Sequence, residues 1–254
     1  MFIRNERSIK EFIQSYPVVS TLVIINLILW LIINFLQLPI GFMIRDWAIG
    51  YNLYIAAGEY WRLVTPIFLH GDMMHVLFNS FSLILFGPAL EQMLGKFKFI
   101  FAYLGVGIIG NIATYFFEPL YYAHLGASGS IYGLFGIYVY MMIFRKDLMD
   151  SGSTQMIRAI VVIGLIMTFI RPNINIFAHL GGFIGGLLIA PLVLRNVRGY
   201  NPWQRRSYRT DDDSIQFDPN RWNKKRLLPP KIKKNLPWII IGILALFGLL
   251  SRLF

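Results

Sequence analysis

Ile174-Asn175-Ile176-Phe177-Ala178-His179-Leu180-Gly181-Gly182-Phe183-Ile184-Gly185-Gly186-Leu187-Leu188-Ile189-Ala190-Pro191-Leu192-Val193-Leu194 is a stretch without one Asp, Glu, Lys or Arg. About 20 apolar residues let a helix cross a hydrocarbon layer of about 30 Å, so residues 174–194 read as a membrane span. Gly181/Gly185 and Gly182/Gly186 form two overlapping GxxxG pairs, which let this helix pack closely against a neighbour. Packing accounts for the glycines but not for His179. An imidazole inside a span needs a partner: a backbone carbonyl if the residue is structural, a hydroxyl if it does chemistry.

Working outward, residues 18–38, 74–94, 99–117, 126–144, 156–170 and 237–250 read as further spans, the run at 156–170 and the last one being short. The 254-residue chain is 56% hydrophobic and 15% charged, with a mean hydropathy of +0.56. Soluble domains carry about 45–50% apolar and about 25% charged residues, so a water-soluble globule and a disordered chain are both excluded. There is no cysteine, hence no disulfide framework, thiol nucleophile or thiolate metal site.

The net charge of +11 would suggest nucleic acid in a soluble protein. Here the distribution explains it. With the N-terminus in the cytoplasm, 20 of the 24 basic residues fall on that side of the membrane and four on the other. Cytoplasmic segments collect Lys and Arg, so the expected topology is N-terminus inside and C-terminus outside, with no nucleic-acid partner. Arg4, Arg7 and Lys10 before the first run give it the look of a retained signal anchor. The expected division is a short cytoplasmic segment (1–17), a helical core (18–195), a basic cytoplasmic linker (196–236) and a last transmembrane helix (237–254). The linker reads as a segment drawn to anionic head groups or as a partner-binding tail. The connection at 39–72, rich in Trp and Tyr, is expected to pack on the membrane rather than hang in water.

Polar groups inside or at the ends of spans are the candidates for chemistry. Ser128 lies in Gly126-Ala127-Ser128-Gly129-Ser130-Ile131-Tyr132-Gly133, at the start of a span. These small residues serve close helix packing in one reading. In the other, free N–H groups and the positive end of the helix dipole gather around Ser128 and can stabilise an oxyanion. Ser128 and His179 lie near the same end of their spans, at similar depth. A serine and a histidine at one depth are the minimum for nucleophilic catalysis. Tyr132, one turn beyond Ser128, can stack on His179 in place of the carboxylate of a triad. His75 and Asn79 share a face of the second span, whereas His70 is about 140° away and belongs to the loop. A metal site is the rival reading of these histidines. No HExxH is present, and Glu91 lies at the far end of the span, so no metal or other cofactor is expected. Without two intramembrane aspartates an aspartyl mechanism is excluded.

Together the segments resemble the rhomboid family of intramembrane serine proteases, of the bacterial type with a six-helix core plus one C-terminal helix. The resemblance covers about residues 15–195. It is carried by Trp61-Arg62, by His70, His75 and Asn79 entering the second span, and by Gly87, Glu91 and Gly95 at its other end. Gly126, Ser128, Gly129, Tyr132 and Gly133 in the fourth span and Ala178, His179, Gly182 and Gly186 in the sixth complete it. The resemblance implies an all-α polytopic membrane protein with Ser128 as nucleophile and His179 as general base. It also implies an oxyanion hole from the Ser128 N–H, His75 and Asn79. Tyr132 would then stack on His179, His70 would support the site, and Arg62 and Glu91 would hold structure.

The expected function is hydrolysis of a peptide bond in or near a membrane protein's span, in a bacterial plasma membrane. A non-catalytic escort of membrane proteins is the alternative, which absence of Ser128 or His179 would have favoured. A transporter is disfavoured because no internal repeat is present. No large soluble N-terminal domain or calcium-binding segment is read, so regulation of those kinds is not expected.

Overall fold

A computed structural model describes residue 6 and residues 8–171 and 174–200. The linker from 201 onward and the expected seventh span lie outside the described residues. The helices are α1 (Ile9–Ser15), α2 (Pro17–Trp30, continued by a π-helical turn Leu31–Phe35), α3 (Pro39–Ala48), α4 (Asn52–Ala56), α5 (Met73–Leu94), α6 (Lys96–Phe117), α7 (Ser128–Phe144), α8 (Ser151–Ile170) and α9 (Ile176–Val193). Strand β1 (Gly50–Tyr51) pairs antiparallel with β2 (Ala123–His124), Gly50 opposite His124.

Among the described residues, five helices are long and apolar enough to cross a membrane: Pro17–Phe35, α5, α6, α8 and α9. α7 is apolar but shorter, with 17 residues. Each corresponds to a span read from the sequence, with ends set by local chemistry. Pro17 opens α2 at a position where its missing N–H is no loss. The Glu91 carboxylate of α5 accepts from the N–H groups of Val18 and Val19 at 3.0 and 2.8 Å, which fixes where α2 meets α5. Asp72 caps α5 by accepting from the His75 N–H at 2.8 Å. Gly95 ends α5 at φ +76, a conformation that favours glycine.

Most ends differ from expectation by one to five residues, and two of them show why. α7 starts at Ser128 rather than at 126, because Gly126 sits at φ +129 and cannot belong to a helix. α8 starts at Ser151 rather than at 156, because Asp150 caps it by accepting from the Ser153 N–H at 2.8 Å. That makes α8 a full 20 residues.

α7 is the centre of the bundle, with Leu134, Ile137, Tyr138 and Met141 fully enclosed. Its neighbours are α6 and α9 above all, then α5 and α8. The surrounding helices also turn apolar side chains outward, among them Phe81, Phe101, Ile163, Phe169 and Leu188. A helix apolar on both faces suits a lipid surround. The chain runs α2 down, α5 back up and so on, so residues 36–72, 118–127, 171 and 174–175 cluster at one end. The first of these connections is folded rather than loose. Arg62, 4% exposed, donates to the carbonyls of Asp46 and Ile49 at 2.8 Å each and pairs with Glu59. Trp61 stacks on Trp47 and donates to its carbonyl at 3.1 Å. These bonds draw α3 onto the turns that precede α5.

Candidate active site

Close approach of α7 and α9 builds the site. A Cβ placed on Gly182 would collide with the Gly129 carbonyl, and one on Gly186 with the Gly133 carbonyl. A Cβ on Gly129 would come within 3.2 Å of the Ala178 carbonyl. The two backbones therefore touch at Gly129 and Ala178, the residues next to Ser128 and His179. The sequence reading gave the glycines of α9 one neighbour, but they serve two. Gly182 and Gly186 face α7, while Gly181 and Gly185 face Ala113, Gly110 and Ile109 of α6. Adjacent helical residues point about 100° apart, so overlapping pairs address different helices.

Ser128 is the first residue of α7 and is half-buried. One turn on, the ring of Tyr132 lies flat against that of His179, centroids 4.0 Å apart and planes 16° apart. The His179 ring makes its hydrogen bond through Nδ1, to Oγ1 of Thr168 at 2.9 Å, and not to Ser128. Hydrogen bonds of a resting site are often open and tighten when substrate is bound.

His75 and Asn79 approach from α5. A Cβ on Gly126 would lie 2.6 Å from His75 Nε2 and 3.7 Å from Ser128 Oγ, so both groups border one small space that only glycine leaves open. Asn79 is 8% exposed, and its Nδ2 is buried without a hydrogen-bond partner. A buried free donor is costly unless something occupies it at work. His70 lies behind the site rather than in it. It is 2% exposed, packs edge-on against His75 with centroids 5.0 Å apart, and its Nε2 accepts a long bond, 3.5 Å, from the Ala127 N–H. Burial, reinforced by the adjacent His75, lowers the pKa of His70 to about 3. The Pro66 carbonyl accepts from the Gly126 N–H at 2.9 Å, so the loop before α7 is held on both sides.

Among the described residues no group of three His, Asp or Glu could hold a metal ion. Glu91, Trp61 and Arg62 lie away from this space, in the contacts described for the fold. Two features escaped the sequence reading. Asn175 caps α9, accepting from the Ala178 N–H at 2.9 Å, and donates to Thr114 Oγ1 at 2.9 Å, tying the start of α9 to α6. Thr168 is the partner of His179. The available signal was a hydroxyl near the end of the fifth span, at the depth of Ser128 and His179.

Residues 57–196 match the family model described as Rhomboid domain, more than half of the chain. The chain is 49% identical over 197 residues to "Putative rhomboid protease YdcA" of Bacillus subtilis, covering 77% of this chain and 97% of that protein. It is 41% identical over 140 residues to "Rhomboid protease GluP" of the same organism, covering 55% of this chain and 27% of that one. It is 28% identical over 144 residues to "Rhomboid-type serine protease 2" of Emericella nidulans, covering 56% and 28%. With these likenesses, its apolar helices and the α7–α9 contact, the chain is an integral membrane protein of the rhomboid family.

Proposed function

We propose that the chain is an intramembrane serine endopeptidase in which Ser128 is the nucleophile and His179 the general base. The observation that carries this reading is the stack of Tyr132 on His179, one turn along α7 from Ser128, at a point where α7 and α9 are in backbone contact.

Ser128 Oγ attacks the scissile carbonyl carbon and its proton passes to Nε2 of His179. The tetrahedral oxyanion is held by the Ser128 N–H, free at the first turn of α7, with the side chains of His75 and Asn79. Collapse breaks the C–N bond, and the imidazolium gives its proton to the leaving amine. Water, activated by the same imidazole, then hydrolyses the acyl-enzyme and returns Ser128.

Substrates are membrane proteins. A substrate helix enters sideways past α8, which has the smallest buried share, 22%, of the five long apolar helices. It must unwind locally, because helical amides are already hydrogen-bonded and shielded. Small residues before the cut and helix breakers after it are what the family likeness implies. Both dyad residues are present, which a non-catalytic escort would not need. The catalytic unit is residues 18–195; the basic linker and last span read from the sequence fall beyond it, outside the described residues from 201 onward. The membrane is a bacterial plasma membrane with the N-terminus inside, as the distribution of basic residues supports.

The test is cleavage of a model transmembrane substrate in proteoliposomes. Ser128→Ala and His179→Ala should each abolish cleavage while melting like the wild type, and the double variant should be no worse than either. Cleavage at the wild-type rate by either single variant would end this reading.

A further inference from the structure

Thr168 does not belong to any motif that points to the family, yet among the described residues it is the one side chain hydrogen-bonded to the ring of His179. It is 1% exposed and lies on α8, a helix that contributes no other group to the site described. Four groups meet there. Tyr132 donates its hydroxyl to the Gly164 carbonyl at 2.6 Å. Thr168 Oγ1 lies 2.9 Å from the Gly164 carbonyl, 2.9 Å from the Tyr132 oxygen and 2.9 Å from His179 Nδ1.

Two proton arrangements fit these distances, and only one leaves a base facing Ser128. The threonine hydroxyl has one hydrogen. Given to the carbonyl one turn back, a bond that helical threonines commonly make, it leaves the Oγ1 lone pairs facing Nδ1. Nδ1 then carries the ring proton and donates it to Thr168. Nε2 is left with its lone pair and, among the described residues, no other partner. If Thr168 gave its hydrogen to Nδ1 instead, the proton of the neutral ring would sit on Nε2, and the ring could not accept from a serine. Tyr132 completes the arrangement by pressing on the ring face and sharing the same Gly164 carbonyl.

We infer that Thr168 is a positioning residue for the proposed dyad: its hydroxyl oxygen accepts the Nδ1 proton of His179 and so presents Nε2 as a base toward Ser128. This rests on the Ser128–His179 reading. Thr168 does the work that a carboxylate does in a triad, with a neutral acceptor suited to an apolar surround. Both Thr168 and Gly164 ride on α8, so the base is fully oriented only while that helix lies against α7 and α9.

Valine has nearly the shape of threonine without the hydroxyl, and serine keeps the hydroxyl without the methyl group. Steady-state cleavage of one transmembrane substrate in proteoliposomes is measured for wild type, Thr168→Val, Thr168→Ser and His179→Ala, each normalised to folded protein from its melting curve. Thr168→Val should lower kcat by about tenfold or more, less than loss of a triad carboxylate, with KM within about twofold. Thr168→Ser should recover most of the loss. Labelling of Ser128 by a fluorophosphonate should slow in parallel, since it needs the same proton transfer and no substrate helix. Should Thr168→Val not fold, Thr168→Ala is read in its place by the same normalised kcat. Wild-type kcat per folded molecule in the valine or alanine variant, or a loss that serine does not relieve, overturns the inference. If that happens while His179→Ala is inactive, the dyad stands and only the role of Thr168 falls. An active His179→Ala removes the dyad itself, and the inference with it.

Discussion

Gly182 of α9 rests directly on the carbonyl oxygen of Gly129 in α7, leaving no room for a Cβ on the α9 side. That contact sets the separation of the two helices that carry Ser128 and His179. The Cβ is fixed rigidly to its Cα and the oxygen it meets is backbone, so neither can swing aside. Gly182→Ala should therefore destabilise by about 1–3 kcal/mol and lower activity more than the loss of folded protein explains. Gly105, also helical, has open space where its Cβ would go. Gly105→Ala should leave melting temperature and activity unchanged or slightly raised. Melting curves and rates of the two variants in one detergent check the pair.

The free donor of Asn79 makes a kinetic prediction. A group that binds the oxyanion acts only when charge develops on the carbonyl oxygen, so its loss lowers kcat with little change in KM. Removing one such donor costs about 2.7–4 kcal/mol. The Ser128 N–H and His75 would remain, so Asn79→Ala should fall at the lower end or below, as a slow enzyme with near-normal melting. Wild-type turnover, or a loss that only follows unfolding, would remove Asn79 from the oxyanion site.

Two buried histidines outside the spans tie stability to pH. Burial lowers His70 to about 3, helped by His75, and burial alone lowers His124 to about 4, against an ordinary value near 6.5. Between those limits the unfolded chain holds protons that the folded chain does not, so stability falls as pH drops below about 6.5. Each histidine contributes about 1.4 kcal/mol per pH unit across its window. The melting temperature should be level above pH 7 and fall steadily toward pH 5. His124→Gln should flatten part of that slope. A slope unchanged by the substitution would show that His124 is protonated when folded.

Reporter fusions test orientation. A reporter active only in the cytoplasm should work when inserted near Thr210 and stay silent after Phe254. Activity at both positions would contradict an outside C-terminus.

Much of this was legible in the sequence because the bilayer imposes a length. A run of about 20 apolar residues is a local signal, and the described spans fell where such runs lie. The start of α8 was not legible. Ser151, Ser153, Thr154 and Gln155 are polar and Gly152 is a poor helix former, and the Asp150 cap marks the start of the helix ahead of the apolar run. Ser128 and His179 stood out as polar groups in apolar surroundings. Thr168 did not, because a threonine in a helix can satisfy itself one turn back. What gives it a second partner is the packing of α8 on α7 and α9, which leaves no local pattern. The same applies to His124, whose burial depends on the pairing of Gly50 with a strand some seventy residues away.

An activated Ser128 should react with a fluorophosphonate as no other serine of the chain does. The direct measurement is labelling by a fluorophosphonate probe, with the modified residue located by peptide mass spectrometry. One adduct per folded chain is expected, on Ser128, absent in Ser128→Ala and strongly slowed in His179→Ala. An adduct on another serine, or labelling of Ser128→Ala at the wild-type rate, would contradict it.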